Sequence, residues 1–225
     1  YLDKCLDSLI GQTYSNIEII CVEDCSQDSS FEILKFYEKK DTRLKVCRHL
    51  VNQGQSEARN TGLDMARGDY VCFIDGDDVL ITSAISKMID AIRDENADIC
   101  LFNMEMFFPD GSVYLCYPES LFETKKAGSQ SCLASVAISN AVLGLYNRAV
   151  CFSGNKNRFT PNVDYEDWRF MSELLNSSNL QLCFVNEPLY KYRRGVTPSV
   201  TNRISDKVLN YFDAYESSVI SIYKN

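Results

Sequence analysis

The sequence predicts an α/β fold, a Rossmann-like and mostly parallel sheet flanked by helices, followed by a smaller second region. Three observations predict it. Short β-branched runs alternate with segments of helical periodicity from residue 1 to about 105. Those runs end in polar or acidic loops, as "CFIDGDD" (72–78) does. The alternation then breaks, and residues 106–225 follow a different rhythm.

The elements follow in order. Leu2, Leu6, Leu9 and Ile10 recur at helical spacing, and Gly11 ends that helix. "NIEIICV" (16–22) reads as a strand and "EDCSQDSS" as a loop, and Phe31, Ile33, Leu34 and Tyr37 mark a helix to about Lys40. "RLKVCRHL" (43–50) is a second strand. "GQSEARNTGLDMA" (54–66) is a helix whose Ala58, Gly62 and Ala66 form a stripe of small residues, suited to close approach of a neighbour. "DYVCFI" (69–74) is a strand, 82–94 a helix and "ADICLFNME" (97–105) a strand. The order αβαβαβαβ is that of a βαβ series whose first strand is missing. After residue 105, "FFPDGSVYLCY" reads as a hairpin turning at Asp110-Gly111. Helices are expected near 129–139 and 164–176, then two short strands, "LQLCFV" and "PLYKYRR". A last amphipathic helix spans 203–223, and its apolar stripe is either core or a contact surface for a homodimer. With no internal repeat or linker, the chain is expected to be one structural domain with two halves, 1–105 and 106–225.

Composition narrows the function. A chain of 225 residues that is 45% hydrophobic and 24% charged can bury a substantial core. Lys and Arg number 23 against 31 Asp and Glu, a net charge of −8 that argues against a nucleic-acid partner. Ten cysteines form no CxxC pair and meet a single histidine, so zinc has a poor ligand supply, and buried reduced thiols of a cytoplasmic protein are expected. No apolar stretch approaches the ~20 residues of a membrane span, and no signal peptide is expected. His49 belongs to no motif and reads as structural or surface.

In an open parallel sheet, ligands bind beyond the carboxyl ends of the strands. Glu23 and Asp24 leave one such end and Asp75 and Asp77 another, and Glu166 and Asp167 follow later. Clustered carboxylates repel unless a cation or protons neutralise them. Mg²⁺ takes one or two carboxylates together with substrate phosphate oxygens, and Mn²⁺ accepts the same ligands. Gly76 permits the sharp turn that brings Asp75 and Asp77 to one site. "NVDYEDWRF" (162–170) sets Glu166 and Asp167 at a helix start, with Asp164 as candidate N-cap.

"IEIICVEDCSQDSS", "NQGQSEARNTGLDMARGDYVCFIDGDD" and "DYEDWRF" resemble, in order and spacing, the motifs of family 2 glycosyltransferases of GT-A fold. The resemblance is close over residues 1–105 and looser over 160–200. It implies that Asp24 hydrogen-bonds the nucleotide base, usually uracil, with Glu23 beside it where the family usually has Asp. It implies that Arg59 lies near the nucleotide phosphates and that Asp75 and Asp77 form the Asp-x-Asp motif. Asp77 is then the direct metal ligand, and Asp78 caps the following helix. Asp167 aligns with the catalytic base of inverting members; Glu166 would bind acceptor hydroxyls or support the base, and Trp168 would stack on an acceptor sugar or belong to the core. Arg193, Arg194 and Ser199 lie in a segment resembling the loop that closes over the donor diphosphate, where many relatives carry a histidine that this chain lacks.

The function so implied is an inverting, metal-dependent glycosyltransferase. It would move a sugar from a nucleotide sugar, with UDP the expected carrier, to a carbohydrate or lipid-linked saccharide acceptor in surface polysaccharide assembly. The expected location is the cytoplasm, up to the inner face of the membrane. A glycoside hydrolase, which needs two acids and no metal, and a nucleotidyltransferase are competing readings. So is a non-catalytic nucleotide-sugar-binding domain.

Overall fold

A computed structural model describes residues 1–117, 140–163, 165–176 and 180–195. The helices expected near 129–139 and 203–223, Asp164 and Ser199 lie outside the described residues. Helix α1 (Leu2–Ile10) buries Cys5 and Leu6 and ends at Gly11, whose N–H donates to the Asp7 carbonyl. Strands β1 (Ile19–Glu23) and β2 (Leu44–Arg48), joined by α2 (Ser30–Lys40), pair in parallel from Ile19↔Leu44 to Glu23↔Arg48. Leu6, Ile19, Leu34, Tyr37 and Leu44 form a small apolar core between this pair and its helices. The Tyr37 hydroxyl donates to Asp7 at 2.9 Å, which ties α2 to α1.

The chain continues through α3 (Gln55–Met65), β3 (Tyr70–Cys72), β4 (Val79–Leu80), α4 (Ala84–Glu95), β5 (Ile99–Phe107) and β6 (Val113–Leu115). A 3-10 turn at Ala141–Leu143 leads into β7 (Gly144–Asn147), α5 (Arg148–Phe152), α6 (Glu166–Asn176) and β8 (Leu182–Arg193). These strands form a second sheet of order β3-β7-β5-β8-β4, with β6 on β5. Every residue from Ile99 to Met104 of β5 is buried, as a central strand covered on both faces requires. The hairpin expected at Asp110-Gly111 is present: β6 lies antiparallel to β5, and Gly111 turns at φ +86°.

The sheet differs from the expected one in two respects. It is mixed rather than mostly parallel, because β7 enters antiparallel between β3 and β5 while only β5 and β8 run parallel within it. The two short strands expected after residue 180 form a single strand. Its register against β5 passes from Val185 to Pro188 and then to Tyr190, so a bulge takes up the proline, which has no N–H to give the ladder.

No ladder joins β1 to β3 among the described residues. A cavity of about 670 Å³ separates them, lined by Ile19, Cys21, Tyr70 and Cys72 with Leu6 of α1 and Ile89 of α4. A second of about 280 Å³ opens on the α3 side, where the Ala58, Gly62 and Ala66 stripe forms its wall.

The larger core draws on residues both before and after residue 105. At its centre Phe159 stacks on Phe170 with ring centroids 4.1 Å apart, and Phe73 meets Phe159 edge-on at 5.1 Å. Tyr146 lies fully buried beside them, and its hydroxyl donates to the Ala141 carbonyl. A Cβ at Gly144 would stand 2.3 Å from the Tyr146 ring, which has no room to retreat. Gly144→Ala is therefore expected to cost about 1–3 kcal/mol through overpacking. A lowered urea midpoint would show this, and an unchanged one would contradict the packing described.

Candidate active site

The loop after β1 carries Asp24, and the backbone around it is built to hold the carboxylate. Its Oδ1 accepts from His49 Nδ1 at 2.7 Å and from the Gln53 N–H at 2.8 Å, and its Oδ2 accepts from the Gly54 N–H at 2.7 Å. Asn52 donates its side-chain N–H to the Asp24 carbonyl. Burial alone would raise the Asp24 pKa, but the donors from Gln53, His49 and Gly54 outweigh it and hold the carboxyl below its ordinary value. Glu23 is placed differently from its expected role at the nucleotide. It is 4% exposed, accepts from the Ser26 N–H and hydroxyl, and pairs with Arg48 at 2.8 Å. Its contacts tie the loop after β1 to β2.

Arg59 stands on α3, one helical turn beyond Gln55, and gathers three acids from two segments. Its Nη2 donates to Asp75 Oδ1 at 3.0 Å and its Nη1 to Glu166 Oε1 at 2.9 Å, and Nη1 also contacts Asp167. Gln55 adds a donor to Glu166. The guanidinium lies over the Phe159 ring, 5.1 Å from its centroid. The neighbouring Asn60 pairs with both the N–H and C=O of Phe159. "RN" in α3 thus fastens the acid-bearing start of α6 to the loop after β3. A planar fork suits this task, which an ammonium could not perform.

The loop after β3 brings the remaining acids. Asp78 was expected to cap the following helix, but α4 begins at Ala84 with Ser83 as its N-cap residue. Asp78 is instead fully buried, and it accepts from the Tyr190 hydroxyl and the Arg193 N–H, each at 2.7 Å. Tyr190 also accepts the Asp75 N–H at 3.1 Å, so one buried hydroxyl on β8 grips both ends of the Asp-Gly-Asp-Asp turn. Arg193 belongs to β8 rather than to a loop. Its guanidinium lies 4.5 Å from both the Tyr1 and Phe107 rings, and its Nε donates to the Asp77 carbonyl at 2.8 Å. It secures the acidic turn. Arg194 donates its N–H to Phe107 O and lies near the Tyr192 ring. Trp168 sits half-buried in the first turn of α6.

Negative charge exceeds positive charge here. Asp75, Asp77, Asp78, Glu166 and Asp167 surround Arg59 and Arg193. Burial, reinforced by Asp75, raises the Asp77 pKa. Burial also pushes Asp78 up to about 7, against the pull of its Arg193 and Tyr190 donors. Asp167 is likewise pushed up to about 7 by burial, with Arg59 opposing and Glu166 and Asp75 reinforcing. Among the described residues no three or more His, Cys, Asp or Glu side chains form a ready-made metal cage. Asp75 and Asp77 do present two hard oxygen donors from one turn, which suits Mg²⁺ or Mn²⁺ recruited together with phosphate oxygens.

His49 and Tyr190 are the site residues that sequence reasoning missed. A signal for His49 existed: parallel pairing of Glu23 with Arg48 makes Asp24 and His49 leave their strands side by side. Tyr190 gave none, since its role depends on where β8 falls in the sheet.

A family model described as "Glycosyl transferase family 2" matches residues 1–150. The Escherichia coli protein named UDP-Glc:alpha-D-GlcNAc-diphosphoundecaprenol beta-1,3-glucosyltransferase WfaP is 30% identical over 173 residues, covering 76% of this chain and 63% of its own length. S. aureus TarS in complex with UDP-GlcNAc superposes with a TM-score of 0.78 at 20% identity, over 96% of this chain and 62% of that one. Mannosyltransferase PcManGT from Pyrobaculum calidifontis, in complex with GDP-Man and Mn²⁺, gives 0.67 at 12% identity, over 100% of this chain and 60% of that one. The chain thus spans less than two thirds of the length of each. The structural likeness establishes the GT-A fold. No helix among the described residues is long and apolar enough to cross a membrane.

Proposed function

Because the chain belongs to the family 2 glycosyltransferases, we propose that it transfers a sugar from UDP to an acceptor hydroxyl with inversion, using Mn²⁺ or Mg²⁺. One observation carries the reading. Arg59 joins Asp75, from the acidic turn after β3, to Asp167, at the start of α6. A donor phosphate held at Asp75 and Asp77 would therefore lie beside a buried carboxylate able to take a proton.

The roles follow from the chemistry. Asp24 accepts the N–H of the uracil ring. Asp75 and Asp77 would hold the metal, which when bound neutralises charge on the departing diphosphate. Asp167 takes the proton of the acceptor hydroxyl as that oxygen bonds to the anomeric carbon and the bond to UDP breaks. Arg59 keeps the two carboxylates aligned, and its contribution is positioning and charge balance. Glu166 and Trp168 at the start of α6 face the acceptor. On this division residues 1–105 bind the donor, and residues 106–225 supply the base and the acceptor side.

The name of WfaP, which pairs UDP-Glc with a diphosphoundecaprenol acceptor, supports a lipid-linked saccharide acceptor. The UDP-GlcNAc complex of TarS supports a uridine carrier, and the Mn²⁺ in PcManGT supports a divalent ion. The test is UDP release from a panel of UDP-glucose, UDP-galactose and UDP-GlcNAc with Mn²⁺ and a diphospholipid-linked saccharide as acceptor. NMR would then assign the anomeric configuration of the product. Release that EDTA abolishes, with a β product from an α donor, is expected. Retention of configuration, or turnover indifferent to EDTA, would overturn the reading.

A further inference from the structure

His49 lies just past β2, 8% exposed, with both ring nitrogens engaged. Nδ1 meets Asp24 Oδ1 at 2.7 Å, and Nε2 meets the Thr61 hydroxyl of α3 at 2.9 Å. An ionised carboxylate only accepts, so Nδ1 carries the proton. The ring therefore spans from the Asp24 loop to the helix that bears Arg59, and its own N–H is anchored to the Glu23 carbonyl at 2.9 Å. Such a bridge fixes the rotation of the Asp24 carboxylate.

The count of acceptor positions gives that rotation a consequence. Each carboxylate oxygen offers about two lone pairs. Among the described residues Oδ1 receives two donors, His49 and Gln53, whereas Oδ2 receives one, Gly54. The remaining acceptor position is on Oδ2, and Asp24 keeps 18% of its side chain exposed. We propose that His49 is a positioning residue for nucleobase choice: it pins Oδ1 so that Oδ2 presents its open lone pair to a base bearing a ring N–H. Uracil supplies that N–H at N3, whereas cytosine has a lone pair there and would be repelled. The inference rests on the reading of Asp24 as the acceptor for the base.

Two substitutions separate positioning from mere packing. The amide of His49→Asn reaches the place of Nδ1 and keeps the contact to Asp24. The amide of His49→Gln reaches the place of Nε2, keeping Thr61 and losing Asp24. UDP and CDP are titrated calorimetrically with Mn²⁺ into the chain, these two variants, His49→Ala and Asp24→Asn, with donor KM and kcat measured alongside. His49→Ala and His49→Gln are expected to weaken UDP roughly ten- to hundredfold, the scale of one charge-assisted hydrogen bond. They should also narrow the preference for UDP over CDP and raise KM by a larger factor than they lower kcat. His49→Asn is expected to stay within a few-fold of the parent. Equal behaviour of the Asn and Gln variants, or full UDP preference in His49→Ala, would overturn the role of His49. Unchanged UDP binding in Asp24→Asn would overturn the base contact itself, and with it this inference.

Discussion

Asp167→Asn should lower kcat by roughly 10²–10⁴-fold, the usual contribution of a positioned general base, while leaving UDP binding close to that of the parent. Asparagine keeps the shape but cannot accept the acceptor's proton. The fold should tolerate the change, because Arg59 retains Asp75 and Glu166 as partners. Burial pushes the Asp167 pKa up to about 7, which sets the pH dependence of the parent. Below that value Asp167 holds a proton and cannot take another. The sign is therefore definite: kcat/KM should be low at pH 5 to 6, rise through about 7 and level off above it. The kcat profile should turn at lower pH, since a bound cation favours the ionised form. The same profiles recorded on Asp167→Asn should lose this limb. An Asp167→Asn variant with parental kcat would exclude Asp167 as the base.

Arg59→Met should be the most damaging single change to stability, at about 3–5 kcal/mol, because it strands buried charge. Arg59 is 10% exposed, and so is the side chain of Glu166, while Asp167 is 19% exposed. Asp75 is 39% exposed, and water would compensate much of its loss. Without the guanidinium, the folded-state pKa of Asp167 must rise further above its unfolded value. The folded chain then binds more protons than the unfolded chain between those values, so stability falls as pH rises. The deficit against the parent should be smallest near pH 5 and largest above pH 8. Arg59→Lys should recover little, since one ammonium cannot reach three carboxylates from one position. Urea unfolding of the three proteins at pH 5 and pH 8 checks this. A deficit that grows toward pH 5 would contradict the charge account.

Much of this architecture could be read locally. From α1 to β5 each element except the two-residue β4 appears near its expected position, because a 3.6- or 2-residue apolar period records which face is buried. The acidic turn and the start of α6 were equally visible, being short strings with strong chemistry. Three features were not. β7 is four residues, Gly-Leu-Tyr-Asn, inserted antiparallel into the second sheet by contacts the local string does not encode. Asp78 looks like a helix cap in sequence but is claimed by Tyr190 and Arg193, more than a hundred residues away. Arg193 looks like a loop cation, yet two aromatic rings and the Asp77 carbonyl hold it in β8. In each case a long-range partner overrode a local preference.

The central claim is that Asp24, Arg59 and the Asp75–Asp77 turn form one metal-assisted nucleotide site. Calorimetric titration of UDP into the chain, with and without Mn²⁺ and repeated on Asp77→Ala, tests it most directly. Binding that strengthens at least tenfold with Mn²⁺ and loses that gain in Asp77→Ala is the expected result. UDP binding indifferent to both the ion and the substitution, or no binding by a folded chain with Mn²⁺ present, would contradict the account.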